Sequence, residues 1–119
     1  MTGLAYKLVD RAEWEAARAV GVYAGSAVDH ADGYIHMSTA GQLAETVRRH
    51  YSGRVDLVLV TVDPDDLGEA LKWEPSRGGD LFPHLYAPMP LSAVVSERFL
   101  SVDADGVMCF DGGEAKWPV

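Results

Sequence analysis

The chain has 119 residues, 48% of them apolar and 24% charged. That length holds one core of ordinary size, so a single domain over 1–119 is expected, and the apolar share excludes a disordered chain. Lys and Arg total 10 against 18 Asp and Glu, a net charge of −8; a nucleic-acid binder, which gains affinity by neutralising phosphates, normally carries the opposite sign.

Residues 4–9 (LAYKLV) read as a first strand with Leu4, Tyr6 and Leu8 on one face. No basic stretch followed by a long apolar region precedes it, so no signal peptide is expected. Asp10, with Glu13 three residues on, has capping-box spacing for a helix running through Trp14 and Ala17 to about Ala19, and Gly21 suits its C-terminal end. Residues 21–32, holding Gly21, Gly25, Ser26 and Asp29, read as an irregular loop. Residues 33–38 (GYIHMS) alternate, with Tyr34, His36 and Ser38 on one face and Ile35 and Met37 on the other, as in a short strand. Thr39 and Gln42 repeat the capping spacing for a second helix to about His50, whose stripe is Leu43, Val47 and Tyr51. The basic run Arg48-Arg49-His50 at its end favours the helix dipole and needs no nucleic acid to explain it.

Residues 56–62 (DLVLVTV) read as a central strand covered on both faces. They include the longest apolar run, Leu57 to Val60, far short of a membrane span. Asp63-Pro64-Asp65-Asp66 starts a turn, 70–73 a further strand, and 74–80 a loop. Residues 81–90 (LFPHLYAPMP) hold three prolines, which predicts an extended segment or a sheet edge. A turn at 91–95 follows. Strands at 96–102 and 107–110 are then joined through Asp105-Gly106, with residues 111–119 weakly ordered beyond a core of about 4–110. The single cysteine, Cys109, cannot close an internal disulfide and reads as a packed hydrophobe in a reducing compartment, the cytoplasm. Two helices in the first half and many short strands afterwards predict an α+β fold. In it two N-terminal helices pack on a twisted, largely antiparallel, split sheet.

Two segments carry candidate chemistry. In the first, Tyr34, His36 and Ser38 project together from a strand that enters a helix at Thr39, and a helix N-terminus suits an anionic group. In the second, Phe82, His84 and Tyr86 share one face of a stiff, proline-bound segment. A histidine near neutral pH can act as acid, base or neutral donor. His36, His84 and Glu74 form no metal spacing such as His-x-His, so no metal is expected. Ser38 with His36 lacks a nucleophile elbow, and Gly78-Gly79 lacks the Lys of a phosphate loop.

The blocks Gly33-Tyr-Ile-His-Met-Ser-Thr39, Trp73-Glu74-Pro75 and Gly79-Asp-Leu-Phe-Pro-His-Leu-Tyr-Ala-Pro-Met-Pro-Leu91, with Tyr6 and Arg11-Ala12-Glu13-Trp14 before them, resemble the bacterial proteins grouped as domain of unknown function 952. The resemblance spans roughly residues 4–100. It implies a fold likened to the ADP-ribosyltransferases, which hold NAD in a cleft of a split sheet. On that resemblance His36, Glu74 and His84 would be catalytic, and Tyr34, Ser38, Thr39, Phe82 and Tyr86 would contact NAD or a related nucleotide. Glu74 or Glu97 would be the acid, and Arg11 or Arg77 the pyrophosphate partner. The alternative is a non-catalytic module that binds a small molecule or a protein through the same face. Either way the expected partner is a small-molecule or nucleotide ligand, with no nucleic acid or membrane, for a monomer or weak homodimer.

Overall fold

The computed structural model describes residues 3–111, apart from the side chain of Arg77. In chain order the elements are β1 (Ala5–Asp10), α1 (Arg11–Val20), β2 (Val22–Tyr23), α2 (Ala27–Asp32), β3 (Ile35–His36), β4 (Ser38–Thr39), α3 (Ala40–His50) and β5 (Leu57–Val62). Then follow β6 (Leu71–Pro75), β7 (Leu81–Leu85), β8 (Met89–Pro90), β9 (Val94–Val102) and β10 (Met108–Phe110). Short 3-10 turns at Pro64–Asp66, Gly68–Ala70, Arg77–Gly79 and Leu91–Ala93 complete the path. The fold is α+β, with few helices and every strand pair antiparallel.

The strands form a five-stranded sheet in the order β10-β9-β5-β1-β4, a three-stranded sheet in the order β3-β7-β6, and the pair β2-β8. All six residues of β5 are buried, as a Val- and Leu-rich run with no polar face requires. Its side chains alternate between two apolar clusters. Val58, Val60 and Val62 meet Trp14 and Ala17 of α1, together with Tyr23, Met37 and Leu85. Leu57 and Leu59 meet Leu43 and Val47 of α3, together with Leu8, Leu100 and Val102. The indole N–H of Trp14 donates to Glu97 Oε1 (2.8 Å), which also accepts from Arg18 (2.8 Å), so Glu97 ties α1 to β9 and is not a cleft acid.

The structure corrects the expected reading in four places. Residues 21–32 are not an irregular loop. Val22 and Tyr23 pair with Pro90 and Met89, and a third helix, α2, follows. That helix starts at Ser26, whose Oγ accepts from Asp29 N while Asp29 Oδ2 accepts from Ser26 N (2.9 Å), the reciprocal pair that satisfies two free donors. The alternating segment 33–38 is not one strand: β3 belongs to the three-stranded sheet and β4 to the five-stranded one, so the chain changes sheets at Met37. The Pro-rich segment is extended as expected but only in part an edge: β8 lies in the two-stranded pair, whereas β7 is the middle strand of its sheet. Pro83 is tolerated there because its carbonyl, accepting from Met37 N (3.1 Å), points to the β3 side just where β3 ends, and its missing N–H faces the same way. Lastly, Cys109 is exposed and not a packed hydrophobe. Lys7 is buried in β1 between Ala5 and Val9, on the face opposite Tyr6 and Leu8. Apart from Asp111, whose N–H donates to Phe99 O, the expected weakly ordered tail lies outside the described residues. Among the described residues no helix is long and apolar enough to cross a membrane.

Candidate functional site

β3 and β7 pair so that His36 lies directly opposite His84. Cross-strand neighbours share a face, and the two imidazole centroids are 5.9 Å apart. Tyr34, just before β3, covers both. Its ring stacks on His84 at 4.1 Å, lies 4.5 Å from His36 and 5.2 Å from Tyr86. The turn that brings Tyr34 there is made by Gly33, in the left-handed region at φ 89°, which closes α2.

Each imidazole is held by carboxylates. Glu74 on β6 stands opposite Phe82, diagonal to His84, and its Oε1 accepts from His84 Nδ1 (2.8 Å) and from the Tyr86 hydroxyl (2.7 Å). The Tyr86 hydroxyl, then the His84 ring, hold the Glu74 carboxyl below its usual range. In return the bond to Glu74 pushes the Tyr86 phenol up to about 12. With Nδ1 donating, Nε2 is the His84 atom left for exchange with a ligand.

His36 is anchored from α2. Its Nδ1 lies 2.6 Å from Asp29 Oδ1, its own backbone N–H donates to the same oxygen (3.1 Å), and its Nε2 lies 2.8 Å from Asp32 Oδ2. The capping helix α2 therefore points two carboxylates at one ring. Asp29 is buried, and burial alone would raise its carboxyl. The His36 ring, the Lys7 ammonium and the backbone donors of Ser26 and His36 outweigh that and hold it well below the usual range. Lys7 Nζ reaches both Asp29 oxygens (3.3 and 3.2 Å) and the His36 carbonyl (3.0 Å). Its burial is the largest influence and lowers its ammonium despite Asp29.

Lys7, Asp29, Asp32, His36 and His84 line one cavity of about 750 Å³. It runs past His36, His84 and Phe82, along β1 beyond Tyr6, where β4 no longer pairs, and on to Arg49, His50 and Arg54 at the end of α3. That volume lies in the range of small-molecule sites.

Of the residues singled out from sequence, Tyr34, His36, Glu74, His84 and Tyr86 come together, and Phe82 lines the cavity beside them. Ser38 lines the same cavity, its buried hydroxyl donating to Thr46 (3.2 Å). Thr39 is no cavity wall and caps α3, its N–H donating to Gln42 Oε1 (3.0 Å). Arg11 lies over the Phe99 ring at 3.9 Å and is no cavity wall, and the Arg77 side chain lies outside the described set. Sequence reasoning missed Lys7, Asp29 and Asp32. The signal was present: Ser26-x-x-Asp29 has capping-box spacing, and a lysine between apolar residues of a strand calls for a buried carboxylate. Among the described residues no group of three or more His, Cys, Asp or Glu could hold a metal ion.

Comparison with known proteins bears on fold and family. The chain matches the crystal structure of protein CC0527 from Caulobacter crescentus with 53% identity and a TM-score of 0.84, covering 88% of this chain and 92% of that one. It matches the solution NMR structure of the same protein with 53% identity and a TM-score of 0.76, covering 87% and 89%. No curated protein matches. Residues 8–97, which include both histidines, Asp29, Glu74 and Tyr86, match the model described as Protein of unknown function (DUF952), and the chain belongs to that family.

Proposed function

We propose that this protein binds a nucleotide of the NAD class in the cavity along β1, with His36 and His84 at the end that handles protons. The observation that carries the reading is the pairing of these two imidazoles, distant in the chain, across β3 and β7, each on its own carboxylate and both lining one cavity. The residues present fit such a ligand in three respects. The cavity is large enough. Phe82, in the cavity wall, offers a ring on which a planar base can stack, with Tyr34 and Tyr86 beside the histidine pair. Arg49, His50 and Arg54 line the far end, where phosphates need cations. In this reading Glu74 orients His84 through Nδ1, and Asp29 does the same for His36. Asp32, exposed and meeting Nε2 of His36, is the contact a ligand would displace.

The second reading, a non-catalytic binding module on the same face, is supported by one observation. Both ring nitrogens of His36 already meet carboxylates of this chain.

Thermal-shift titration with NAD, ADP-ribose and nicotinamide, with His36→Ala as control, separates the two. A ligand at a hundred times its Kd should add about 2.7 kcal/mol of stability to the wild type and less to the variant. Absence of a shift with all three compounds would leave the binding-module reading standing.

A further inference from the structure

Tyr23 is 3% exposed, and its hydroxyl has no hydrogen-bond partner among the described residues. A buried hydroxyl without a partner loses its hydration and gains nothing in return, which is why such groups are rare in folded proteins. The ring is fixed, since β2 pairs with β8 and the ring packs 5.8 Å from that of Trp14. Tyr23 also lines the cavity described above, together with Asp10, Glu13 and Asp29. That cavity, at about 750 Å³, far exceeds the room needed by one bridging water, about 30 Å³.

Neighbouring charges restrict what can meet this hydroxyl. Burial, then the negative charges of Asp29 and Glu13, keep the phenol protonated, so it is a donor in search of an acceptor. Lys7, the nearby cation, spends its ammonium on Asp29 and the His36 carbonyl. An anionic acceptor would face the three carboxylates, and a pure cation would leave the phenolic proton unpaired. A neutral group that carries both an acceptor oxygen and its own hydrogen satisfies the phenol without repulsion.

We infer that the Tyr23 end of the cavity is a second polar subsite, which takes a neutral carboxamide or alcohol group of a ligand and rejects the matching carboxylate. It rests on the same cavity as the nucleotide reading but not on a nucleotide. Leu8, Val9 and Met37 line the cavity as well, so a small apolar body attached to that group is accommodated.

The test is an NMR titration with 2-phenylacetamide, 2-phenylethanol and phenylacetate, reading the indole N–H of Trp14, whose ring contacts Tyr23. Saturable shifts are expected with the amide or the alcohol, and at least tenfold weaker binding of phenylacetate. In Tyr23→Phe, which keeps the ring against Trp14, the favoured probe should bind about tenfold more weakly, while the melting temperature of the free protein does not fall. Equal binding of phenylacetate, an unchanged Kd in Tyr23→Phe, or no shift with any of the three overturns the subsite; in the last case water alone serves the hydroxyl. A protein that binds ADP-ribose yet fails here keeps the nucleotide reading and loses the subsite, and the reverse result does the opposite.

Discussion

Asp29 is the residue on which the site's geometry turns, because its two oxygens gather donors from β1, β3 and the start of α2. Removing one member of a buried charged pair leaves the other uncompensated and costs roughly 3–5 kcal/mol. Asp29→Asn, which keeps the shape, is expected to lose about 3 kcal/mol in urea denaturation at pH 7, at the lower end of that range. The folded carboxyl titrates below its ordinary value of 3.8. The stability it supplies is therefore fully present above that value and is lost as pH falls through the folded one. The gap between wild type and variant should narrow as the pH falls below that ordinary value; a gap that is constant into strong acid would contradict the pairing. Much of this cluster was legible beforehand. Alternation alone put Tyr34 with His36 and Phe82 with His84 and Tyr86, because period-two geometry is local. That Glu74 joins the second group, or that the Ser38 hydroxyl meets Thr46, depends on how the elements pack, and a single strand's pattern does not hold that information.

At the scale of elements, α2 shows how a short piece of chain becomes a positioning device. Six residues make a marginal helix, and this one is held by its reciprocal cap and by Lys7. Ser26→Ala is expected to cost about 1 kcal/mol in chemical denaturation, with recovery in Ser26→Thr, since threonine also caps. Lack of recovery would mean that the hydroxyl is not acting as a cap. A second device lies where the β9–β10 connection meets α3. Gly106 sits at φ 86°, and a Cβ there would stand 2.7 Å from the Arg48 Cα, a backbone atom of a packed helix. Gly106→Ala therefore combines left-handed strain with a clash and should cost at least about 1–2 kcal/mol, measured as a fall in denaturation midpoint. The sequence signalled this hairpin through Asp105-Gly106, as it signalled α1 and α3 through their caps. It hid α2 because two glycines and mixed polar residues also describe a loop. It hid the central place of β7 because the tolerance for Pro83 comes from where its partner strand ends.

Across the whole molecule, β5 is the shared wall of two apolar clusters, so the two faces are joined through one strand's side chains. Its position was readable because an unbroken branched run has only one comfortable environment, covered on both sides. Which helix covers which face was not readable, since that depends on the crossing of the chain between sheets at Met37. Leu59 is 1% exposed in the α3-side cluster, while Trp14 is buried in the cluster on the other face. Leu59→Ala removes buried methyl groups and leaves a cavity that the sheet and α3 fill only in part, a change that typically costs 2–5 kcal/mol. If the two clusters rise and fall together, denaturation of Leu59→Ala followed by far-ultraviolet circular dichroism and by loss of the Trp14 indole signal will give one midpoint, lowered by the same amount in both probes. An indole signal that survives past the midpoint seen by circular dichroism would mean that the α1 face holds without the α3 face. In that case the cavity along β1, whose walls come from both faces, would open before the histidine pair comes apart.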